Sequence, residues 1–213
     1  MTISPDLAHR RRLVVMLKQP RAGRVKTRLG RDIGVVPAAW WFRHQVARLL
    51  RRLDDPRWQL VLAVAPDPAL GSSTWPAHLP RIPQGRGDLG ARMGRIMRHM
   101  PPGPICIIGG DIPGVTRAHV ARAFNTLGGH EAVFGPAPDG GFWLVGLHRT
   151  APPPATLFQG VRWSSAHALA DSMASLKHHR IALVVPCTTS SLPKICTPPG
   201  PPCVFPSDAP FKP

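Results

Sequence analysis

Short apolar runs along this chain alternate with longer segments in which apolar residues recur at helical spacing, and that alternation predicts the architecture. Leu13–Leu17, Trp58–Ala65, Ile105–Ile108, Ala132–Phe134, Phe142–Leu147 and Arg180–Val185 read as strands. Pro37–Leu53 reads as a helix, with Trp41, Val46, Leu49, Leu50 and Leu53 near one face and Pro37 tolerated in the first turn. Asp88 is placed to cap a second helix whose stripe of Leu89, Met93, Ile96, Met97 and Met100 reads as core. Thr116–Leu127 and Ser165–Leu176 complete the helices, while Lys18–Asp32, Pro66–Pro83 and Pro152–Trp163 show little regular pattern. Strands and helices alternating in this way predict an α/β fold, a single Rossmann-like domain with a mostly parallel central sheet flanked by helices.

Composition narrows the class. With 213 residues, 43% of them hydrophobic, the chain can bury one substantial core, and no internal repeat suggests a solenoid. Its longest apolar runs, such as Leu60–Ala65 and Ile105–Ile108, are far short of a membrane span. Leu13–Leu17 is too brief for a signal-peptide core, so the expected location is cytoplasmic. Cys106, Cys187, Cys196 and Cys203 have no metal-site spacing, and Cys106 sits in a strand as a small hydrophobe. The 27 Lys and Arg residues against 11 Asp and Glu give a formal charge of +16, a surface that attracts polyanions. Arginine supplies most of that charge and tyrosine is absent, which a GC-rich coding sequence would produce without selection for binding. No recognised nucleic-acid module or aromatic stacking pattern accompanies it, so no specific nucleic-acid partner is expected.

The candidate chemistry lies at strand ends. In Pro104–Gly114 an apolar run stops on two glycines and delivers Asp111, at the kind of edge where open α/β sheets receive ligands. Asp139-Gly140-Gly141 offers a second carboxylate from a turn between two strands. Carboxylates placed there are costly to bury unless paired or bound to a cation, and oxygen ligands suit Mg²⁺ or Mn²⁺. The alternatives are that Asp111 caps the following helix and that Asp139 only starts a turn. After the first strand, Lys18–Gly30 carries cations, a hydroxyl and glycines where doubly wound sheets receive nucleotide phosphates. It is not a Walker A loop, because Val25 stands where glycine must precede the lysine. His99, His119 and His148 read as surface or packing residues, and no catalytic base is identifiable among them. Trp163 and Ser164 shape a pocket wall, or Trp163 anchors the core.

Five ordered motifs carry a resemblance. They are Lys18-x-Pro20-x-x-Gly23-x-Val25-Lys26-Thr27-Arg28-Leu29, Gln84-Gly85-x-Gly87-Asp88-Leu89-Gly90-x-Arg92-Met93, Gly110-Asp111-Ile112-Pro113, Gly135-Pro136-Ala137-x-Asp139-Gly140-Gly141-Phe142-Trp143-Leu144, and Phe158-x-Gly160-Val161-x-Trp163-Ser164. Over roughly Leu13–Val185 the chain resembles the bacterial glycosyltransferase-A-like (GT-A) family catalogued as domain of unknown function 2064, of the nucleotide-diphospho-sugar transferase superfamily. The resemblance implies a GT-A domain over 13–185 that transfers a sugar from a nucleotide-diphospho-sugar to an acceptor with Mg²⁺ or Mn²⁺. Nucleotidyl transfer to a phosphorylated small molecule, or a catalytically inactive relative, are the alternatives. It further implies that Lys18, Gly23, Lys26, Thr27, Arg28, Gln84 and Asp88 bind nucleotide and phosphate. Asp111 would hold the metal, Asp111 and Asp139 would act in catalysis, and Gly140, Gly141, Trp163 and Ser164 would line the pocket. Neither the acceptor nor the oligomeric state follows from these residues.

Residues 1–12 read as a basic N-terminal arm and 186–213 as a Pro/Cys-rich irregular tail. Family members typically continue instead with an acidic Asp-Val-Asp-x-x-x-Asp-Leu element. A GC-rich coding of Pro186–Thr197, read from its third base, yields Leu-His-Asp-Val-Glu-Pro-Ala-Glu-Asp-Leu-His. With the codons chosen this way, one reading is a frameshifted tail with one acidic site element lost and the other is a genuine tail on a catalytically inactive relative; the coding DNA across that segment decides between them.

Overall fold

A computed structural model describes residues 10–184. The readings of most of the N-terminal arm and of the tail, with its frameshift and three of the four cysteines, lie outside the described residues.

Among the described residues seven strands form one sheet: β1 (Arg12–Lys18), β2 (Gln59–Ala65), β3 (Arg81–Pro83), β4 (Ile105–Gly109), β5 (Ala132–Pro136), β6 (Phe142–Leu147) and β7 (Ile181–Leu183). Their order is β3-β2-β1-β4-β6-β5-β7, parallel throughout except that β6 runs antiparallel to both of its neighbours. The helices are α1 (Leu29–Ile33), α2 (Val35–Leu53), α3 (Leu89–His99), α4 (Arg117–Leu127) and α5 (Ala168–Ala174). The expected mostly parallel, helix-flanked sheet is the observed fold. No helix among the described residues is long and apolar enough to cross a membrane.

Period-two alternation along the strands divides the core in two. Leu13, Val15, Leu17, Leu60, Leu62 and Val64 face α2 and α4, meeting Phe42, Val46, Leu53, Val120 and Phe124. Val14, Val61, Ala63, Ile105 and Ile107 face the opposite layer, where α3 supplies Met93, Ile96 and Met97. Cys106 is wholly buried, and loss of hydration raises its thiol pKa far above the ordinary range.

Three details depart from the sequence pattern. Trp41 does not join the α2 core face; Phe42 does, because 42, 46, 49, 50 and 53 keep helical spacing and Trp41 is one residue off that stripe. Leu89, in the first turn of α3, is exposed and faces a cavity rather than the core. The segment 66–83 is ordered without an apolar pattern. Buried Trp75 donates from Nε1 to the Ala69 carbonyl at 3.0 Å, and the Arg81 guanidinium donates to the carbonyls of Leu70 (2.7 Å) and Trp75 (3.2 Å).

Register fixes where the functional edge lies. Lys18 pairs with Ala65 and Met16 with Gly109, so β1, β2 and β4 end along one edge. Because β6 is antiparallel, its beginning, Phe142-Trp143, lies at that same edge.

Candidate active site

Three adjoining cavities make a trough along the edge where the parallel strands end. The first, of about 840 Å³, lies beyond β1 and β2 and is lined by Lys18, Arg21, Arg24, Arg86 and Arg92. Its one carboxylate among the described residues, Asp67, accepts the main-chain N–H of Gly85 at 3.0 Å. None of the five cations has a carboxylate partner among the described residues. The cleft is therefore a strongly positive compartment, suited to a polyanionic group.

The second, of about 460 Å³, shares Lys18, Gly87 and Arg92 with the first and lies over the ends of β1 and β4. Gln84 and Asp88 are on its wall, yet both are internally engaged. Gln84 is buried, and its Nε2 donates to the carbonyls of Leu17 at 3.0 Å and Ala63 at 2.8 Å, tying β1 to β2. Asp88 caps α3, its Oδ1 accepting the Ala91 N–H at 2.7 Å.

The third, of about 540 Å³, shares Leu89, Gly109, Phe142 and Trp143 with the second and holds the acids Asp111 and Asp139. Gly110 turns Asp111 into place. Its N–H donates to the Met16 carbonyl at 2.9 Å, and a Cβ there would lie 2.2 Å from Leu17 Cδ2, so a larger residue would have to displace the buried Leu17 side chain. Asp139 Oδ1 accepts the Gly141 N–H at 3.0 Å, the turn-starting role, while the carboxylate still borders the cavity. At Gly140, φ is +80° and a Cβ would meet the Ala166 carbonyl oxygen at 2.3 Å. The far wall is Trp163, whose ring packs on Phe142 and Phe158 with centroids 6.3 and 5.9 Å away. Arg162 holds that wall to α5 by paired bonds to both Asp171 oxygens at 2.9 Å. Those bonds lower the Asp171 pKa to about 2.

Lys26 meets the acidic end of the trough through Asp111. Its ammonium forms an ion pair with Asp111 Oδ2 and lies 5.0 Å from the centroid of the Trp41 ring. Lys26 and Ser164, which borders the same cavity, both hold left-handed backbone, with φ of +49° and +59°.

The trough thus gathers Lys18, Gln84, Asp88, Asp111, Asp139, Gly141, Trp163 and Ser164, with Lys26 joined through Asp111 and Gly140 holding the turn. Gly23, Thr27 and Arg28 line none of the three cavities; all are exposed. Arg86 reaches the cationic end only because β3 brings residues 84–87 back beside the β1 loop, a return that chain spacing does not reveal. Among the described residues no histidine lines the trough, and His119 caps α4 against Trp143, where burial lowers its pKa.

Asp111 and Asp139 provide two hard oxygen donors in one cavity, and no group of three metal-ligating side chains occurs among the described residues. That set fits Mg²⁺ or Mn²⁺ held by one or two carboxylates and completed by ligand phosphates, rather than a cage made by protein alone.

The sequence profile of a bacterial family described as uncharacterized proteins conserved in bacteria, DUF2064, matches residues 48–165. A candidate nucleotide-diphospho-sugar transferase from Desulfovibrio desulfuricans G20 is similar in structure, with a TM-score of 0.73 at 28% identity over 83% of this chain and 80% of that one. Rv0371c from Mycobacterium tuberculosis H37Rv gives TM-scores of 0.44 and, in its complex with manganese, 0.46. Identities there are 17% and 18%, over 84% of this chain and 90% of that one. No curated protein matches the chain significantly.

Proposed function

We propose that this chain, which belongs to the DUF2064 family of uncharacterized proteins conserved in bacteria, transfers a sugar from a nucleotide-diphospho-sugar donor to an acceptor. The observation that carries the reading is the polarity of the trough, with five cations at one end and two carboxylates at the other. The donor's nucleotide belongs at the cationic end and its sugar beside Asp139 and Trp163. Lys18 and Arg92, shared by the first two cavities, are the cations suited to the diphosphate.

In the reaction, the bond from the anomeric carbon to the β-phosphate oxygen breaks and a bond from the acceptor oxygen to that carbon forms. The acceptor proton passes to the Asp139 carboxylate, and nucleoside diphosphate departs. Negative charge grows on the leaving oxygen, where fixed cations outside bulk water stabilise it most. Lys18, Arg92 and Lys26 supply that field. A divalent ion bound through Asp111 would add Lewis-acid neutralisation of the same charge.

A second reading, nucleotidyl transfer from a nucleoside triphosphate, is favoured by the number of cations, since five exceed what a diphosphate needs. Calorimetry with nucleoside diphosphates, nucleotide-sugars and triphosphates, with and without Mn²⁺, tests both. Mn²⁺-dependent binding of one nucleotide-sugar, lost in Asp111→Asn, with release of nucleoside diphosphate on turnover, is expected. Release of pyrophosphate would favour the second reading, and no binding of any member would reject both.

A further inference from the structure

Five large apolar side chains, Ile33, Val35, Val36, Trp40 and Trp41, are 41 to 60% exposed where α1 passes into α2. Only two other large apolar residues among the described ones, Leu89 and Leu183, are comparably exposed, so this is a patch and not scatter. Arg28, Arg31 and Arg43 are exposed close by in the chain, and none pairs with a carboxylate among the described residues. Asp32 is the one acid in the segment.

We propose that this corner docks on an anionic phospholipid bilayer surface. Tryptophan beside exposed arginine is the composition that sits at headgroup depth, the indole reaching the acyl boundary and the guanidinium meeting lipid phosphate. None of residues 33–41 lines any of the cavities described above, and the 41 to 60% exposure of the five side chains leaves them open to solvent. A fluid partner accommodates such a face. A second copy fits poorly, because a two-fold contact would set the patch arginines against themselves in a chain of formal charge +16. The docked face borders the candidate site, since Trp41 carries the Lys26 ammonium and Lys26 pairs with Asp111. The inference stands on the patch and does not depend on the transferase reading.

Because a chain this basic adheres to any anionic vesicle, the test must hold charge constant. Full-length protein is sedimented with vesicles of phosphatidylcholine alone or mixed with phosphatidylglycerol, and compared with the charge-preserving variant Val36→Gln/Trp40→Gln. Wild type should bind the mixed vesicles with a blue-shifted tryptophan emission that brominated acyl chains quench. The variant should bind about tenfold more weakly, reflecting apolar area no longer removed from water. Equal binding by the two proteins, or no quenching in wild type, would overturn the proposal by showing contact through net charge alone. So would a concentration-dependent dimer that the double substitution abolishes, which would identify a second copy as the occupant. Brominated-lipid quenching of wild type requires no variant, so the proposal stays testable even if the substitutions disturb folding.

Discussion

Gln84 offers a sharp separation between holding the sheet and holding a ligand. Its amide joins β1 to β2 through two bonds to main-chain carbonyls, and its own N–H donates to the Val64 carbonyl at 3.1 Å. Its carbonyl oxygen accepts Arg95 at 2.7 Å, and Oε1 lies 3.5 Å from Arg92. Gln84→Ala removes both side-chain bonds and leaves the Leu17 and Ala63 carbonyls short of a donor. Each such loss costs about 1–3 kcal/mol, so the variant should lose about 2–6 kcal/mol. In a domain of this size each kcal/mol lowers Tm by about 2–4 °C, which predicts a fall of about 4–24 °C.

Urea and thermal unfolding, followed by circular dichroism, measure this directly. Gln84→Glu adds a check of sign. A carboxylate facing two carbonyl oxygens is disfavoured when ionised, so its folded pKa lies above the ordinary value near 4.3. Its stability should therefore be highest in acid and decline as pH rises from the unfolded value through the folded one. An Ala variant that melts within about 1 °C of wild type while losing nucleotide binding would refute the brace.

Two further substitutions probe the far wall. Asp171→Asn should loosen the loop that carries Trp163. In wild type the pin is complete above the ordinary aspartate pKa near 3.8 and is lost as pH falls through about 2, so the near-UV dichroism of wild type should change over that window and that of the variant should not. Gly90→Ala would place a Cβ 2.6 Å from Trp163 Cζ2 and 2.8 Å from Phe158 Cβ. It should cost about 1–3 kcal/mol by overpacking and move the Trp163 signal; an unchanged melting curve would show that the wall yields freely.

What could be read from the residues follows physical lines. Continuous apolar runs announced β1, β2 and β4 because both faces of those strands are covered. The direction of β6 could not be read, since Phe-Trp-Leu-Val-Gly-Leu has the same apolarity in either sense. Two short elements were hidden: β3 is three residues ending in proline, and α1 lies in a run of arginine and glycine with no apolar stripe. α5 is shorter than the expected Ser165–Leu176, because the bonds that pin Arg162 to Asp171 hold the approach to it as a turn. Asp111 and Asp139 were legible as acids at strand ends, and the adjacency of β4 and β6 puts them on one cavity. Motif spacing placed Gln84 and Asp88 at the site but could not say where their polar atoms would point. Inward-directed bonds, invisible to spacing, make one a brace and the other a cap.

The ion pair between Lys26 and Asp111 sets how this site would answer a ligand. Both side chains are partly exposed, at 26% and 46%, so the pair contributes at most about 1 kcal/mol and holds the carboxylate only weakly. In the proposed reaction a diphosphate would offer Lys26 a new anionic partner and free Asp111 for a cation at the moment that phosphate oxygens become available to complete its shell. Ion pairs are exchanged rather than lost, which keeps the desolvation cost small. Lys26→Met breaks the exchange on one side. Without nucleotide, Asp111 is then unopposed, and Mn²⁺ binding, read by electron paramagnetic resonance, should strengthen up to about fivefold, the equivalent of 1 kcal/mol. Nucleotide binding in calorimetry should weaken if Lys26 meets phosphate as proposed. Mn²⁺ affinity unchanged in Lys26→Met but abolished in Asp111→Asn would mean that lysine and metal do not compete for one carboxylate. The pair would then be a fixed strut of the β1 loop, and the loop's cations would have to act on phosphate without it.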